Sequence, residues 1–288
     1  MAHGARVNLR RMLLAFTHEA APQPALEAAA EFARLLDTGL QGLFVEDSVL
    51  FEAASVPLAR LLDPTQRTWR PMSYEHLSSE YAAAAAALRR RLKQVAAANG
   101  LAADFTIVRG DWAASVASHA GPTDLLAVFE PPGTIAGRID RLRRAAGQSR
   151  PGPPAILYLA PSVRRRGGPV VAVATAHGGA ASVELAAQLA AAASEQLVII
   201  DLTPGRQAAG WLERAAPQAS QPHAAARVIA SSAPPALVLR TEFVRLRARL
   251  VVLDREAFET MAPAASDFVD GRQVPWMILE GRAGQAED

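Results

Sequence analysis

The chain of 288 residues has no cysteine. That removes disulfides, thiolate metal sites and cysteine nucleophiles. It has one lysine, Lys93, and neither sign of charge dominates: Lys+Arg number 30 and Asp+Glu 28, for a net charge of +2. The pI near 9.5 therefore reflects balanced charge carried by arginine, not a polybasic chain. The arginine runs Arg89–Arg91, Arg141–Arg144 and Arg164–Arg166 have no interleaved aromatics. They read as solvated surface and linker, so no nucleic-acid partner is expected. Long hydrophobic runs are also missing. The alanine tracts are interrupted by charges, so no segment qualifies as a membrane span and no membrane association is expected. Met1 to Arg11 is polar and basic with no adequate apolar region after it, so no signal peptide is expected and the cytoplasm is the expected location.

What the chain does have is hydrophobic content, 50% of residues, and one pattern that occurs twice. The first copy is an apolar strand, Met12 to Phe16. A polar turn, Thr17-His18-Glu19, follows, then an alanine-rich helix from about Pro24 to Asp37 and a strand, Leu43-Phe44-Val45, ending in Glu46-Asp47. The second copy is Val170 to Val173, a turn at Thr175-Ala176-His177-Gly178-Gly179, an alanine-rich helix, and Val198 to Asp201. Leu26, Ala29, Ala30, Ala33 and Leu36 give the first helix an apolar face at helical spacing. Ser73 can cap a long helix that stops at Asn99-Gly100. Further strands are read at Phe105–Val108, Leu125–Phe129 and Ala155–Leu159 in the first copy. The second has strands at Ala226–Ala230, Leu250–Leu253 and Trp276–Leu279, with a helix over about Pro235 to Arg247.

Strands alternating with helices imply parallel pairing, and right-handed crossovers then give a doubly wound α/β sheet. The internal repeat points to two domains, 1–161 and 169–288, joined by an arginine- and glycine-containing linker, 162–168. The second is expected to lack the long helix of the first, and residues 281–288 are expected to form a disordered tail. The stretch Val49, Leu50, Phe51, Val56, Leu58, Leu61 is expected to cover the sheet edge.

Strand, helix, Gly42-Leu-Phe-Val-Glu-Asp47, long helix, Ile107-Val-Arg-Gly-Asp111 and the strand Asp124-Leu-Leu-Ala-Val128 together resemble a universal stress protein domain, in particular a bacterial branch. The resemblance covers about Arg10 to Pro161 and extends to Pro169 to Glu280 through order and spacing. It implies two tandem five-stranded parallel sheets of adenine nucleotide alpha hydrolase-like type, with strand order 3-2-1-4-5. It also implies pairing of domains through their fifth strands, here an intramolecular pseudo-dimer, with a homodimer possible. Many members bind ATP across the ends of the first and fourth strands, using an Asp after the first strand. After the fourth they carry Gly-x-x-Gly, nine residues, then Gly-Ser/Thr. The glycines let backbone amides approach phosphate at a helix N-terminus, at the topological switch point of the sheet.

This chain departs from that pattern. Thr17 stands at the Asp position and Glu130 at the first glycine. Pro131 and Pro132 remove amide donors, Gly133 matches the second glycine, and Arg143-Arg144 fall near the last pair. A carboxylate about 4 Å from a phosphate charge costs roughly 4 kcal/mol at an effective dielectric near 20. Micromolar binding is worth only about 8 kcal/mol in all. The second copy ends its fourth strand in Asp254-Arg255-Glu256, without glycine. The switch-point candidates are therefore Thr17, His18, Val45, Gly110 and Gly133 in the first copy, and His177, Gly178 and Gly179 in the second. Gly178-Gly179 before a helix reads first as a flexible turn, with a small anion nest as the functional alternative. Glu46-Asp47 and Asp201 read as turn-solvating carboxylates, and Ser115, Ser118 and His119 as one polar helix face. No catalytic group, metal site or cofactor is expected. The expected function is a non-catalytic stress-response binding or regulatory protein that has lost ATP binding. The alternatives are a nucleotide-binding (ATP or AMP) or weakly hydrolysing protein with a non-standard phosphate site, and an accessory module docking a partner through residues 48–62.

Overall fold

The computed structural model describes residues 9–17, 21–57, 59–63, 67–129, 141–142, 144–145, 152–160, 167–175, 179–203, 210–211, 213, 226–231, 235–260 and 274–280. Strands and helices alternate. In the first half, β1 (Arg11–Phe16), α1 (Gln23–Leu35) and β2 (Gly39–Asp47) are followed by α2 (Ser48–Ala54) and a hairpin, β3 (Arg60–Asp63) and β4 (Thr68–Pro71). Then come α3 (Tyr74–Ala98), β5 (Ala103–Gly110), α4 (Trp112–His119), β6 (Asp124–Val128) and β7 (Ala155–Tyr158). The second half has β8 (Val170–Ala174), α5 (Ala180–Ala193), β9 (Leu197–Asp201), β10 (Arg227–Ala230), α6 (Pro235–Leu246), β11 (Leu250–Asp254) and β12 (Trp276–Leu279).

Local chemistry sets the boundaries. Pro22 is the N-cap of α1 and Pro24 sits in its first turn, where a missing N–H costs nothing. α3 starts at Ser73, whose hydroxyl accepts from the His76 amide, and ends at Asn99, followed by Gly100 at φ +69°. Asp111 caps α4 through the Ala114 amide at 2.8 Å. Asp47 closes β2 and caps α2 through the Val49 amide at 2.9 Å.

The ten long-range strands form one sheet in the order β10-β9-β8-β11-β12-β7-β6-β1-β2-β5. Each half is parallel and runs third, second, first, fourth, fifth. The two five-stranded sheets are joined edge to edge where β7 and β12 pair antiparallel, with Tyr158 opposite Trp276 and Ala155 opposite Leu279. That join reverses the strand direction, so the C-terminal strand ends of the two halves lie on opposite edges of the sheet. One face carries α1, α3 and α5 over Met12, Leu14, Phe16, Phe44 and Ala174. The other carries α4 and α6 over Leu13, Val45, Val173 and Leu253. Arg249, 4% exposed, ties the halves together across the first face by donating to Glu31 of α1 at 2.6 Å.

The segment between β2 and α3 covers the sheet edge in part: Phe51 and Ala54 of α2 are buried in the core, Leu50 packs against it, and the Phe51 ring lies 3.8 Å from the Arg109 guanidinium of the edge strand β5. Val49, Val56 and Leu62 are exposed; Leu58 and the Leu61 side chain lie outside what is described. The segment also forms the β3–β4 hairpin, in which Leu62 pairs with Trp69. Four residues per strand is too short an alternation to signal strands in the sequence. The expected linker lies largely outside the described residues, as do the residues that would show whether the second half keeps a long helix, and the tail 281–288. Among the described residues no helix is long and apolar enough to cross a membrane.

Candidate functional site

In a doubly wound sheet the crevice beyond the first and fourth strands is where ligands settle. In the first half, the structure brings Thr17, Val45 and Gly110 to the C-terminal ends of the neighbouring strands β1, β2 and β5. Val45 is buried, whereas Gly110 is partly exposed, and a Cβ on it would come within 3.1 Å of the Ser115 hydroxyl. His18 and Gly133 lie outside the described residues, as do Glu130, Pro131, Pro132 and Arg143. Phenylalanines cluster under this end of the sheet. Phe16 ends β1 and Phe129 follows β6, and their rings stack with centroids 5.2 Å apart and planes within 6°. Phe105 lies 6.4 Å from Phe16 and 6.5 Å from Phe44, and Phe44 meets Tyr81 edge-on at 6.0 Å. Gly42 makes this possible, since a Cβ there would come within 2.5 Å of the Phe105 ring. Burial, reinforced by the Asp47 charge, raises the Tyr81 pKa above its ordinary value.

The second half has the same register and different chemistry. Met12 pairs with Leu40 and Leu125, and Val170 pairs with Leu197 and Leu250. Stepping along the strands, Phe16 corresponds to Ala174, Phe44 to Asp201 and Phe129 to Asp254. Asp201 is 1% exposed. Its Oδ1 accepts from the Thr203 amide at 2.9 Å and from the Thr203 hydroxyl, while Oδ2 is buried with no hydrogen-bond partner. Asp254 is partly exposed, and its Oδ1 accepts from the Ala257 amide at 2.8 Å. Burial raises its pKa; the Ala257 amide opposes this and Glu256 adds to it.

Gly179 is the N-cap of α5, at φ +120°. A Cβ there would meet the Ala174 Cα at 2.8 Å, so the helix start presses directly onto the strand. Trp211 lies beside this contact, its ring 3.5 Å from the same Cβ position. His177 and Gly178 lie outside the described residues. Of the candidates, the structure therefore groups Thr17, Val45 and Gly110 at one sheet edge and sets Gly179 at the opposite edge. Ser118 and His119 form the expected local polar face on α4, with the His119 Nδ1 2.8 Å from the Ser115 carbonyl. Sequence reasoning misses the phenylalanine cluster. Its signal is a phenylalanine at or just beyond the C-terminal end of the first and fourth strands.

No family model matches the chain, and no curated protein matches it. Solved structures do. A universal stress protein from Archaeoglobus fulgidus DSM 4304 superposes with a TM-score of 0.59 at 15% identity, covering 98% of this chain and 98% of that one. A functionally unknown protein from Pseudomonas aeruginosa PAO1 superposes with a TM-score of 0.52 at 15% identity, covering 95% of this chain and 94% of that one. The fold is thus universal-stress-protein-like over the whole chain.

Proposed function

We propose that this protein is a non-catalytic binding or regulatory protein of the universal stress type, and that it does not take ATP in the way the resemblance implies. The observation that supports this most is the Phe16–Phe129 stack, which sets two packed rings at the ends of the first and fourth strands. A purine there would have to displace a packed aromatic pair. In the second half, Asp201 and Asp254 stand where a triphosphate would bring more negative charge, at roughly 4 kcal/mol per close pair. The stress role rests on the fold shared with the A. fulgidus protein, an analogy of fold rather than of site. Titration calorimetry of the full chain with ATP and Mg²⁺ should give no binding below roughly 100 µM, about 5.5 kcal/mol. A micromolar isotherm, or ATP carried through purification, would make nucleotide binding the function instead.

A second reading, docking of a protein partner through residues 48–62 and the adjoining hairpin, draws on the exposure of Leu62 (45%) and Trp69 (62%) as a cross-strand pair. A photo-cross-linker at position 62 or 69 should capture one protein species in cells. A pattern no different from that at exposed Leu237, on α6, would end this reading.

A further inference from the structure

We propose that the β3–β4 hairpin is a contact site for an anionic membrane surface, with Leu62 and Trp69 entering the headgroup layer and Arg60 and Arg67 meeting lipid phosphates. The exposed pair is the one behind the second reading above, but the occupant is a lipid surface and not a protein. The contact is peripheral, so the lack of a spanning segment in the sequence does not bear on it. Antiparallel register sets Leu62 opposite Trp69 and Arg60 opposite Pro71, and directly opposite residues share a face. All four are exposed. Arg67, also exposed, lies in the turn that enters β4, two residues before Trp69.

Three observations carry it. First, the hairpin stands apart from the body. Its strands pair with each other outside the ten-stranded sheet, and none of its described side chains joins either buried core. The Met72 amide donates to the Ala59 carbonyl at 2.8 Å and closes its base. A two-stranded hairpin alone is marginal in water, so a surface that covers its apolar pair also stabilises it. Second, the charge is one-sided. From Val56 to Pro71 the chain has three arginines, Arg60, Arg67 and Arg70, and one acid, Asp63. Exposed Glu52 and Glu75 lie on the flanking helices, outside the hairpin. Third, the patch is small. Strands of four residues offer far less than the roughly 800 Å² per partner of a stable protein interface. A membrane surface has no such minimum: a tryptophan ring seats at headgroup level, and an arginine beside it reaches phosphate while its stem stays on apolar surface. An apolar insertion and a cationic cluster are together the two signals that a reversible anchor needs.

The test mixes the full chain at low salt with vesicles of phosphatidylcholine, alone or with an equal part of phosphatidylglycerol. Co-sedimentation and tryptophan emission are measured. The anionic vesicles should take up the protein and shift its emission to the blue, because Trp69 alone of the four tryptophans is exposed. Uptake should fall as salt is raised. Trp69→Ala, and the double variant Arg60→Gln with Arg67→Gln, should each weaken it on the order of tenfold. Trp69→Phe should keep most of the uptake and lose the blue shift, which a purely structural role of Trp69 does not predict. The three positions face solvent, and an unchanged far-UV circular dichroism spectrum verifies that the variants fold. No uptake by the anionic vesicles at low salt, equal uptake by the neutral ones, or equal uptake of wild type, Trp69→Ala and the arginine variant would overturn the proposal. One protein cross-linked at position 62 or 69, with no vesicle uptake, overturns it in favour of the second reading. Vesicle uptake without such a protein supports it and defeats that reading, and the ATP titration is independent of both.

Discussion

Gly179 shows how one residue can hold a helix against a strand. Its φ of +120° is strained for any L side chain, and a Cβ would meet Ala174 backbone at 2.8 Å. Gly100 is the useful comparison, because its φ is +69° but nothing lies within 4 Å of its Cβ position. Gly100→Ala should therefore cost only the backbone term, about 1 kcal/mol. Gly179→Ala should cost more, about 3 kcal/mol, since strain and overlap add. Urea midpoints of the two variants check this, and equal shifts would mean that the α5–β8 contact yields easily. In the sequence the pair Gly178-Gly179 stands out only as a flexible turn or a weak anion nest. That Gly179 is a close-packing residue depends on where Ala174 lies, which the sequence does not state.

At the scale of elements, the regular segments are legible because their signals are local. Ser73 and Asn99-Gly100 bracket α3, and the apolar runs of β1, β6 and β8 read directly as buried parallel strands. The candidate site is less legible, because it depends on register. Phe16 and Phe129 are far apart in the chain, and only the β1–β6 pairing makes them neighbours. The same alignment substitutes Ala174, Asp201 and Asp254 for three phenylalanines, so two similar elements build opposite environments. Phe129→Ala should cost about 3 kcal/mol, the low end for a phenylalanine because Phe129 is only partly buried. The variant should also stay silent in the ATP titration. Micromolar ATP binding by Phe129→Ala would show that the ring alone closes the crevice.

Over the whole molecule, the decisive element is the antiparallel β7–β12 join. Every residue of both strands is buried, from Ala155 to Tyr158 and from Trp276 to Leu279. Both strands would be short but wholly apolar edges if the halves were apart, and an exposed apolar edge seeks a partner. Glu31 and buried Arg249 add a charged tie between the halves, with Glu195 a second carboxylate 3.9 Å from the same guanidinium. The two halves should therefore unfold together, in a single transition by far-UV circular dichroism and tryptophan fluorescence. Residues 1–161 expressed alone should not stay monomeric, because β7 loses β12. The expected species is a dimer that pairs β7 with its own copy, since antiparallel pairing about a twofold axis makes the edge self-complementary. Sedimentation equilibrium distinguishes the outcomes. A folded, monomeric first half, or two separate transitions in the full chain, would mean that the join is a contact between independent domains and not a shared core.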